Sequence, residues 1–217
     1  MDIKCASILV QKHHQSLESL VTEFVRGHEG ALGDILATCC NLKYLKFKAE
    51  PLVDIRALVD PQRPWVCSEL EVFEGYYGLP PSPPPPSIFS NQNHDTGRSR
   101  QEEDGKVATT DQVENLFMQR VGQLTKLRRL GQSTDLMEYL FSDYPLDMES
   151  DVMTWTLSSG LRHLANLVNL EWLEFLDGYL PIDFGIPELL FIKQHWGWHA
   201  TAFMLKCKSG SRSSGLN

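Results

Sequence analysis

One pair of residues in this sequence has the spacing of a metal site, His195 and His199. Histidines four residues apart lie on one face of a helix, where both imidazoles can reach the same zinc ion. Gly197 between them weakens a helix, and the sequence places no third ligand beside them. Histidines next to tryptophans more often lie at the surface or at the edge of a core. We favour that role and expect no metal and no cofactor.

The cysteines do not form a chemical motif. Cys39 continues an apolar helical stripe, which is typical of a small buried hydrophobe, and the residues around Cys39 and Cys40 lack the base that a catalytic thiol needs. The count is odd and no CxxC pair occurs, so we expect neither a disulfide framework nor a zinc knuckle, and predict reduced, mostly buried thiols. The five are Cys5, Cys39, Cys40, Cys67 and Cys207.

The motifs of common enzyme classes are missing from the sequence. It contains no G-x-S-x-G nucleophile elbow, no phosphate-binding G-x-x-x-x-G-K-[ST] loop and no H-E-x-x-H zinc motif. We therefore predict a protein that is not an enzyme and that has no catalytic residues.

Charge and hydropathy restrict the partners. The formal net charge is −8, with 20 basic against 28 acidic residues, and binding to nucleic acid or an anionic membrane needs a basic surface. The amino terminus lacks the apolar stretch of a signal peptide, and no run of 18 apolar residues occurs. We expect a cytoplasmic or nuclear protein that binds neither nucleic acid nor membranes.

The elements that must position any site follow a repeat of the form Leu-x-x-Leu-x-apolar. Clear copies begin at Leu42 and Leu170, and weaker copies begin at Leu17, Leu70 and Leu127. The spacings are 25, 28, 57 and 43 residues, and the first two fit one long leucine-rich repeat. Each copy predicts a short strand.

Apolar residues with helical spacing precede three of these strands. The three sets are Leu32, Ile35, Leu36 and Cys39; Val113, Leu116, Phe117, Val121 and Leu124; and Leu161, Leu164 and Leu167. The last set follows Ser158, Ser159 and Gly160, which can cap a helix. A helix–turn–strand unit buries its apolar face only by stacking on its neighbours. The prediction is an α/β leucine-rich-repeat solenoid with irregular repeats, short parallel strands on the concave face and helices on the convex face.

A proline-rich stretch divides the predicted array. We expect amino-terminal repeats at 1–78, a disordered insertion at 79–110, carboxy-terminal repeats at 111–206 and a disordered tail at 207–217. PxxP registers in the insertion could suit an SH3-type groove. Because no base flanks them until Arg98, a stiff spacer is the favoured interpretation.

Strand geometry predicts a binding surface, because the repeat leucines face the core and the residues between them face the concave side. Tyrosine, tryptophan and arginine dominate the energetics of protein interfaces. The alternative is that these aromatic side chains pack on adjacent repeats or under loops. The predicted partner-binding residues are Tyr44, Lys46, Lys48, Glu74, Tyr76, Arg129, Trp172 and Glu174.

The carboxy-terminal half is acidic. From Asp135 to Glu188 there are 11 acidic residues against the single base Arg162. Solubility is the simpler explanation, and electrostatic steering of a basic partner is the other.

Three stretches, 63–72, 113–127 and 160–175, resemble the leucine-rich-repeat region of fungal F-box-like proteins of the ribonuclease-inhibitor-like class. The resemblance spans roughly residues 5 to 200. It implies a substrate receptor of an SCF ubiquitin ligase: the repeats hold a protein target, and an F-box upstream of them docks on a cullin-type ligase adaptor. The alternative is a truncated or diverged binding module or scaffold without a role in ubiquitin ligation.

Overall fold

The chain has an α/β fold in the computed structural model, which describes residues 8, 10, 12–25, 29–50, 53–79, 109–132, 153–175 and 184–196. The strands are β1 (Ser19–Val25), β2 (Tyr44–Glu50), β3 (Val53–Asp54), β4 (Val72–Gly75), β5 (Tyr77–Gly78), β6 (Arg129–Gly131) and β7 (Trp172–Glu174). The helices are α1 (Glu29–Thr38), α2 (Thr110–Val121) and α3 (Ile186–Trp196), with short 3-10 helices at Ile55–Ala57 and Leu161–Asn166. No helix in these ranges is long and apolar enough to cross a bilayer.

Five strands form one parallel sheet in the order β1-β2-β4-β6-β7, so the order across the sheet is also the order along the chain. The register brings the first residues of all five strands into one row: Ser19, Tyr44, Val72, Arg129 and Trp172. All five copies of the leucine pattern therefore form strands, including the three weaker ones. The short strands β3 and β5 pair separately, also in parallel.

The same hydrogen-bond arrangement recurs where each strand joins the next. The carbonyl of the residue that precedes one strand accepts two backbone hydrogen bonds. The donors are the N–H of the first residue of the next strand and the N–H of the residue just before that strand. The four accepting carbonyls belong to Glu18, Lys43, Glu71 and Arg128. Because four junctions share this geometry, the strands start at the same level of the sheet.

The core is built from the leucine positions that the sequence predicts to be buried. The inward-facing residues in the middle of the strands form one row, Leu20, Leu45, Phe73, Leu130 and Leu173. A second buried row lies three residues before the last four members of the first row: Leu42, Leu70, Leu127 and Leu170. A third row begins the turns, with Cys39, Cys67, Leu124 and Leu167. The predicted burial of Cys39 and Cys67 is thus confirmed, whereas Cys40 is exposed.

Aromatic rings fill the centre of this core. Phe73 stacks on Tyr77 with ring centroids 5.5 Å apart, and Phe117 from α2 lies 5.2 Å from Tyr77. The ring of Phe47 covers Gly75 so closely that any side chain there would overlap it. The glycine at the end of β4 therefore makes room for a ring from the neighbouring strand.

Helices α1 and α2 form where the apolar spacing predicts them. Thr109 and Gln112 make a reciprocal capping box at the start of α2, and Val113, Phe117 and Val121 face the core. Leu116, predicted to belong to the same stripe, is 44% exposed and lies on the outer side of the helix.

The third predicted helix is instead the 3-10 helix Leu161–Asn166, which still buries Leu161 and Leu164. Gly160 precedes it with a φ of 114°, a conformation that favours glycine, and no side chain caps the helix. Ser159, a predicted cap, bonds to Thr156 instead. The backbone of His163 lies so close to Gly122, at the end of α2, that a side chain on Gly122 would overlap it. This close approach packs the 3-10 helix against the end of α2.

The predicted disordered insertion at 79–110 includes an ordered residue at each of its ends. Leu79 is only 5% exposed and packs in the core, and α2 begins at Thr110 after its cap. Residues 80–108 lie outside the described residues, as do the predicted tail at 207–217 and most of the predicted acidic segment before Met153.

Candidate functional site

The candidate site is the outer sheet face, the side of the five-stranded sheet that points away from the core. Side chains alternate across a strand, so the residues between the buried ones share this face. In register they form two rows, Ser19, Tyr44, Val72, Arg129 and Trp172, and then Val21, Lys46, Glu74, Gly131 and Glu174. Five of the eight predicted partner-binding residues, Tyr44, Lys46, Arg129, Trp172 and Glu174, lie here with partly or fully exposed side chains.

Glu74 occupies the centre of the outer sheet face and is 4% exposed, so the prediction that it contacts a partner is corrected. Its carboxylate lies between two bases: Arg129 Nη2 is 3.0 Å from Oε1, and Lys46 Nζ is 3.9 Å from Oε2. The Arg129 contact is an ion pair without hydrogen-bond alignment. A buried carboxylate needs such partners, because desolvation would otherwise favour its neutral form. Glu74 therefore fixes the two bases that the face presents.

Arg129 also stacks on Trp172, with its guanidinium carbon 5.3 Å from the centre of the indole ring. Trp172 in turn donates from Nε1 to Oε2 of Glu174 at 3.4 Å. Contacts therefore run in a chain from Glu74 through Arg129 and Trp172 to Glu174. Side chains held in this way lose less conformational entropy when a partner binds.

Gly131 separates the two acidic residues on the outer sheet face. A side-chain carbon on Gly131 would lie 3.4 Å from Cβ and Oε2 of Glu174 and 3.6 Å from Cγ of Glu74. The side chains of both glutamates therefore lie against the glycine from its two sides. The absent side chain lets them approach each other across β6.

The remaining predicted residues lie at the margin of the face. Lys48 and Tyr76 are half-buried, and Tyr76 is located between β4 and β5 rather than within a strand. Tyr44 and Trp172 are half-buried as well, so each side chain keeps part of its surface exposed. Val21, 63% exposed, adds an apolar residue at the β1 end of the face.

Sequence reasoning missed a row of charges along the upper edge of the sheet, which we call the charge ladder: Glu18, Lys43, Glu71, Arg128 and Glu171. Each residue immediately precedes a strand, and the signs alternate from one strand to the next. Lys43 pairs with Glu18 at 2.9 Å, and Arg128 bonds both carboxylate oxygens of Glu171. The pKa values of Lys43 and Arg128 are raised, mainly by these partners, with Glu71 adding to both. Aligning the five copies of the leucine pattern in the sequence would have revealed the alternation of charge at this position.

A shallow groove of about 560 Å³ lies beside the last step of the charge ladder, lined by Lys126, Arg128, Glu171, Val168 and Trp196 among others. Both of its bases are already paired, Lys126 with Glu69 and Arg128 with Glu171. The groove therefore presents no uncompensated positive charge to a ligand.

Two acidic side chains contribute to structure rather than to surface charge. Glu188, counted in the predicted acidic surface, is 7% exposed and accepts the backbone N–H groups of Leu157 and Gly185. Burial alone would raise its pKa, but the backbone hydrogen bonds outweigh this effect and lower it. Glu114 on α2 accepts from the backbone and hydroxyl of Thr154, yet burial raises its pKa.

Of the residues considered for metal or thiol chemistry, the structure describes His195, Cys39, Cys40 and Cys67. His195 is exposed at the end of α3, with its ring 4.4 Å from Phe191, and His199 lies outside the described residues. Burial raises the pKa of Cys67 to about 12, which disfavours a thiolate there. Within the described ranges no group of three or more His, Cys, Asp or Glu side chains could hold a metal ion.

Comparison with known proteins returned no relatives: no protein-family model, no curated protein and no solved structure matches this chain.

Proposed function

We propose that this chain is a protein-binding leucine-rich-repeat solenoid whose outer sheet face is the concave binding surface. Support comes from the five in-register parallel strands in chain order, the shared hydrogen bonds at their junctions and the recurring leucine rows. Such regularity is expected of repeats that bury their apolar faces against each other. In this proposal the chain is not an enzyme and binds its target by complementarity of shape and charge.

The observation that carries the proposal is the linked set of Lys46, Glu74, Arg129, Trp172 and Glu174 on the outer sheet face. Arginine and tryptophan are the side chains most enriched among interface residues whose truncation weakens binding. Here the arginine is held by a buried carboxylate and an indole ring, which reduces the entropy that binding must overcome. Tyr44 extends the same row two strands away.

The partner class follows from the resemblance in the sequence. In this proposal the repeats hold the protein target of an SCF ubiquitin ligase in the cytoplasm or nucleus, and the cullin-type adaptor would bind an F-box upstream. The second candidate is a binding module or scaffold without a ligase role. This second candidate requires only that the outer sheet face binds a protein, and the ligase candidate requires the same.

The test is affinity purification of the tagged chain from native extract, with protein identification by mass spectrometry. Three forms are compared: the unaltered chain, the Tyr44→Ala/Trp172→Ala variant, and a Gln119→Ala/Gln123→Ala control with two exposed positions changed on α2 and directly after it. Circular dichroism and thermal melting check that all three fold. We expect partners that the control retains and the outer-face variant loses.

Purified partners then separate the two candidates. Truncation of a dominant interface residue costs about 2 kcal/mol or more, so the outer-face variant should bind its partner at least about 30-fold more weakly. A cullin and its adaptor recovered by all three forms would support the ligase role, since their binding does not need the outer sheet face. Face-dependent partners recovered without any ligase subunit would favour the scaffold. Equal recovery by all three forms would contradict binding through this face.

A further inference from the structure

Trp172 lies at an open edge of the described sheet. Its strand, β7, pairs with β6 on one side, and no strand within the described residues pairs with its other side. Arg129 is the register partner of Trp172 on β6 and lies over one face of the indole ring. Within the described residues no other ring or cation stacks on Trp172.

Glu174, at the β7 end of the outer sheet face, is a carboxylate without a basic partner among the described residues. Glu74 lies between Lys46 and Arg129, whereas Glu174 forms no ion pair with any described residue. Among the described residues, the one polar contact of its carboxylate is the 3.4 Å hydrogen bond from Trp172 Nε1, which places the carboxylate beside the indole ring. Glu174 therefore presents a negative charge without an ion-pair partner among the described residues, next to an aromatic surface.

We propose that Trp172 and Glu174 form a receptor for an arginine side chain of the protein partner. The guanidinium would stack on the face of Trp172 opposite Arg129 and donate hydrogen bonds to the carboxylate of Glu174. This inference rests on the proposed function and specifies the chemistry of the partner: a segment that presents arginine.

Charge decides against an acidic group at this position. A partner carboxylate would lie beside Glu174, which has no ion-pair partner among the described residues, and Arg129 is already held in an ion pair by Glu74. Planarity favours arginine over lysine, since a guanidinium stacks on an indole and forms two parallel hydrogen bonds to a carboxylate, whereas an ammonium is a compact point charge. Arg129 on the other side of the ring already shows this stacking within the chain.

The experiment titrates the folded chain with N-acetyl-arginine methylamide and follows the indole N–H signals of its five tryptophans by NMR. The Trp172→Phe variant identifies the Trp172 signal. The matching citrulline derivative is neutral and of the same shape, and the matching lysine derivative carries the charge without the planar group. We expect a saturable shift of the Trp172 signal with the arginine derivative and much smaller shifts with the other two.

Two conservative variants locate the binding. Glu174→Gln should weaken binding of the arginine derivative about tenfold, because it removes a charge-assisted hydrogen bond. Glu23→Gln changes an exposed carboxylate at the β1 end of the same face and should leave binding unchanged. No shift at Trp172, an equal shift with citrulline or lysine, or an equal loss in both variants would overturn the proposal. A face-dependent partner that lacks a required arginine would overturn it while leaving the proposed function standing.

Discussion

At the scale of single residues, three glutamates show how one residue type takes different roles in different surroundings. Glu74 is compensated by two bases, Glu188 by backbone N–H groups, and Glu114 by the backbone and hydroxyl of Thr154. The pKa of Glu188 is lowered because its hydrogen bonds prevail over burial, whereas that of Glu114 is raised because burial prevails. These opposite directions predict opposite effects of pH.

Glu114→Gln should change the pH dependence of stability. The pKa of Glu114 in the folded chain lies above its ordinary value of 4.5, so the folded state binds the proton more tightly. Stability contributed by this group is therefore lost as the pH rises from 4.5 through the folded pKa. Glutamine does not titrate and keeps an oxygen for Thr154, so the variant should gain stability relative to the parent across that interval.

Urea unfolding at several pH values between about 4 and 7 measures this change, and Glu188→Gln supplies the opposite case. Because the pKa of Glu188 is lowered, its contribution is present above 4.5 and lost as the pH falls through the folded pKa. That variant should lose stability relative to the parent at neutral pH. Parallel pH curves for the parent and Glu114→Gln would contradict the role of burial at Glu114.

At the scale of elements, the strands are joined by backbone hydrogen bonds and by the charge ladder above them. Each step of the ladder places opposite charges on adjacent strands, which favours the observed register over a shifted one. A single exposed ion pair contributes little to the free energy of unfolding, so we expect the ladder to stabilise the sheet mainly through the alternation of all five charges.

Glu71→Lys should place three bases side by side at the positions immediately before β2, β4 and β6, with Lys43 and Arg128 on either side of the substituted residue. Their repulsion should lower the urea midpoint at low salt, and the loss should shrink in salt, since the Debye length falls from about 30 Å at 0.01 M to about 3 Å at 1 M. Glu71→Gln removes the charge without reversing it and should cause a smaller loss. A loss that is the same at both salt concentrations would contradict an electrostatic origin.

At the scale of the whole molecule, the core is a stack of rows in which each residue packs against its counterparts on adjacent strands. Leu20 and Leu45 are neighbours in one row, but Leu20 belongs to the edge strand β1 and Leu45 to the inner strand β2. The two leucines therefore have the same chemistry and different numbers of neighbouring strands.

Leu45→Ala should destabilise the chain more than Leu20→Ala. The inner leucine is closed in by strands on both sides, so its truncation should leave a cavity and cost about 2–5 kcal/mol, whereas the edge of the sheet can relax around the smaller residue. Equilibrium urea unfolding of both variants gives the comparison. An equal or larger loss for Leu20→Ala would show that the edge is as tightly packed as the interior.

Local patterns in the sequence were sufficient to predict the strands of the main sheet and two of the helices. Leucine spacing predicts the five strands of the main sheet, and apolar residues with helical spacing predict α1 and α2. These features depend on residues close together in the chain, which is why periodicity reveals them. The same alternation identified the side of the sheet on which Tyr44, Arg129 and Trp172 lie.

Only the tertiary structure decided which of those side chains are available to a partner. Glu74 appears as an exposed acid in its own strand, but Arg129, 55 residues later, and Lys46 lie beside it and it is buried. Gln132 is likewise buried because it bonds the carbonyl of Tyr77 and the indole of Trp155. The sequence by itself determined period and polarity, which are local. Burial, ion pairing and the stacking of Arg129 on Trp172 depend on which strands lie side by side, and distant parts of the chain supply those strands.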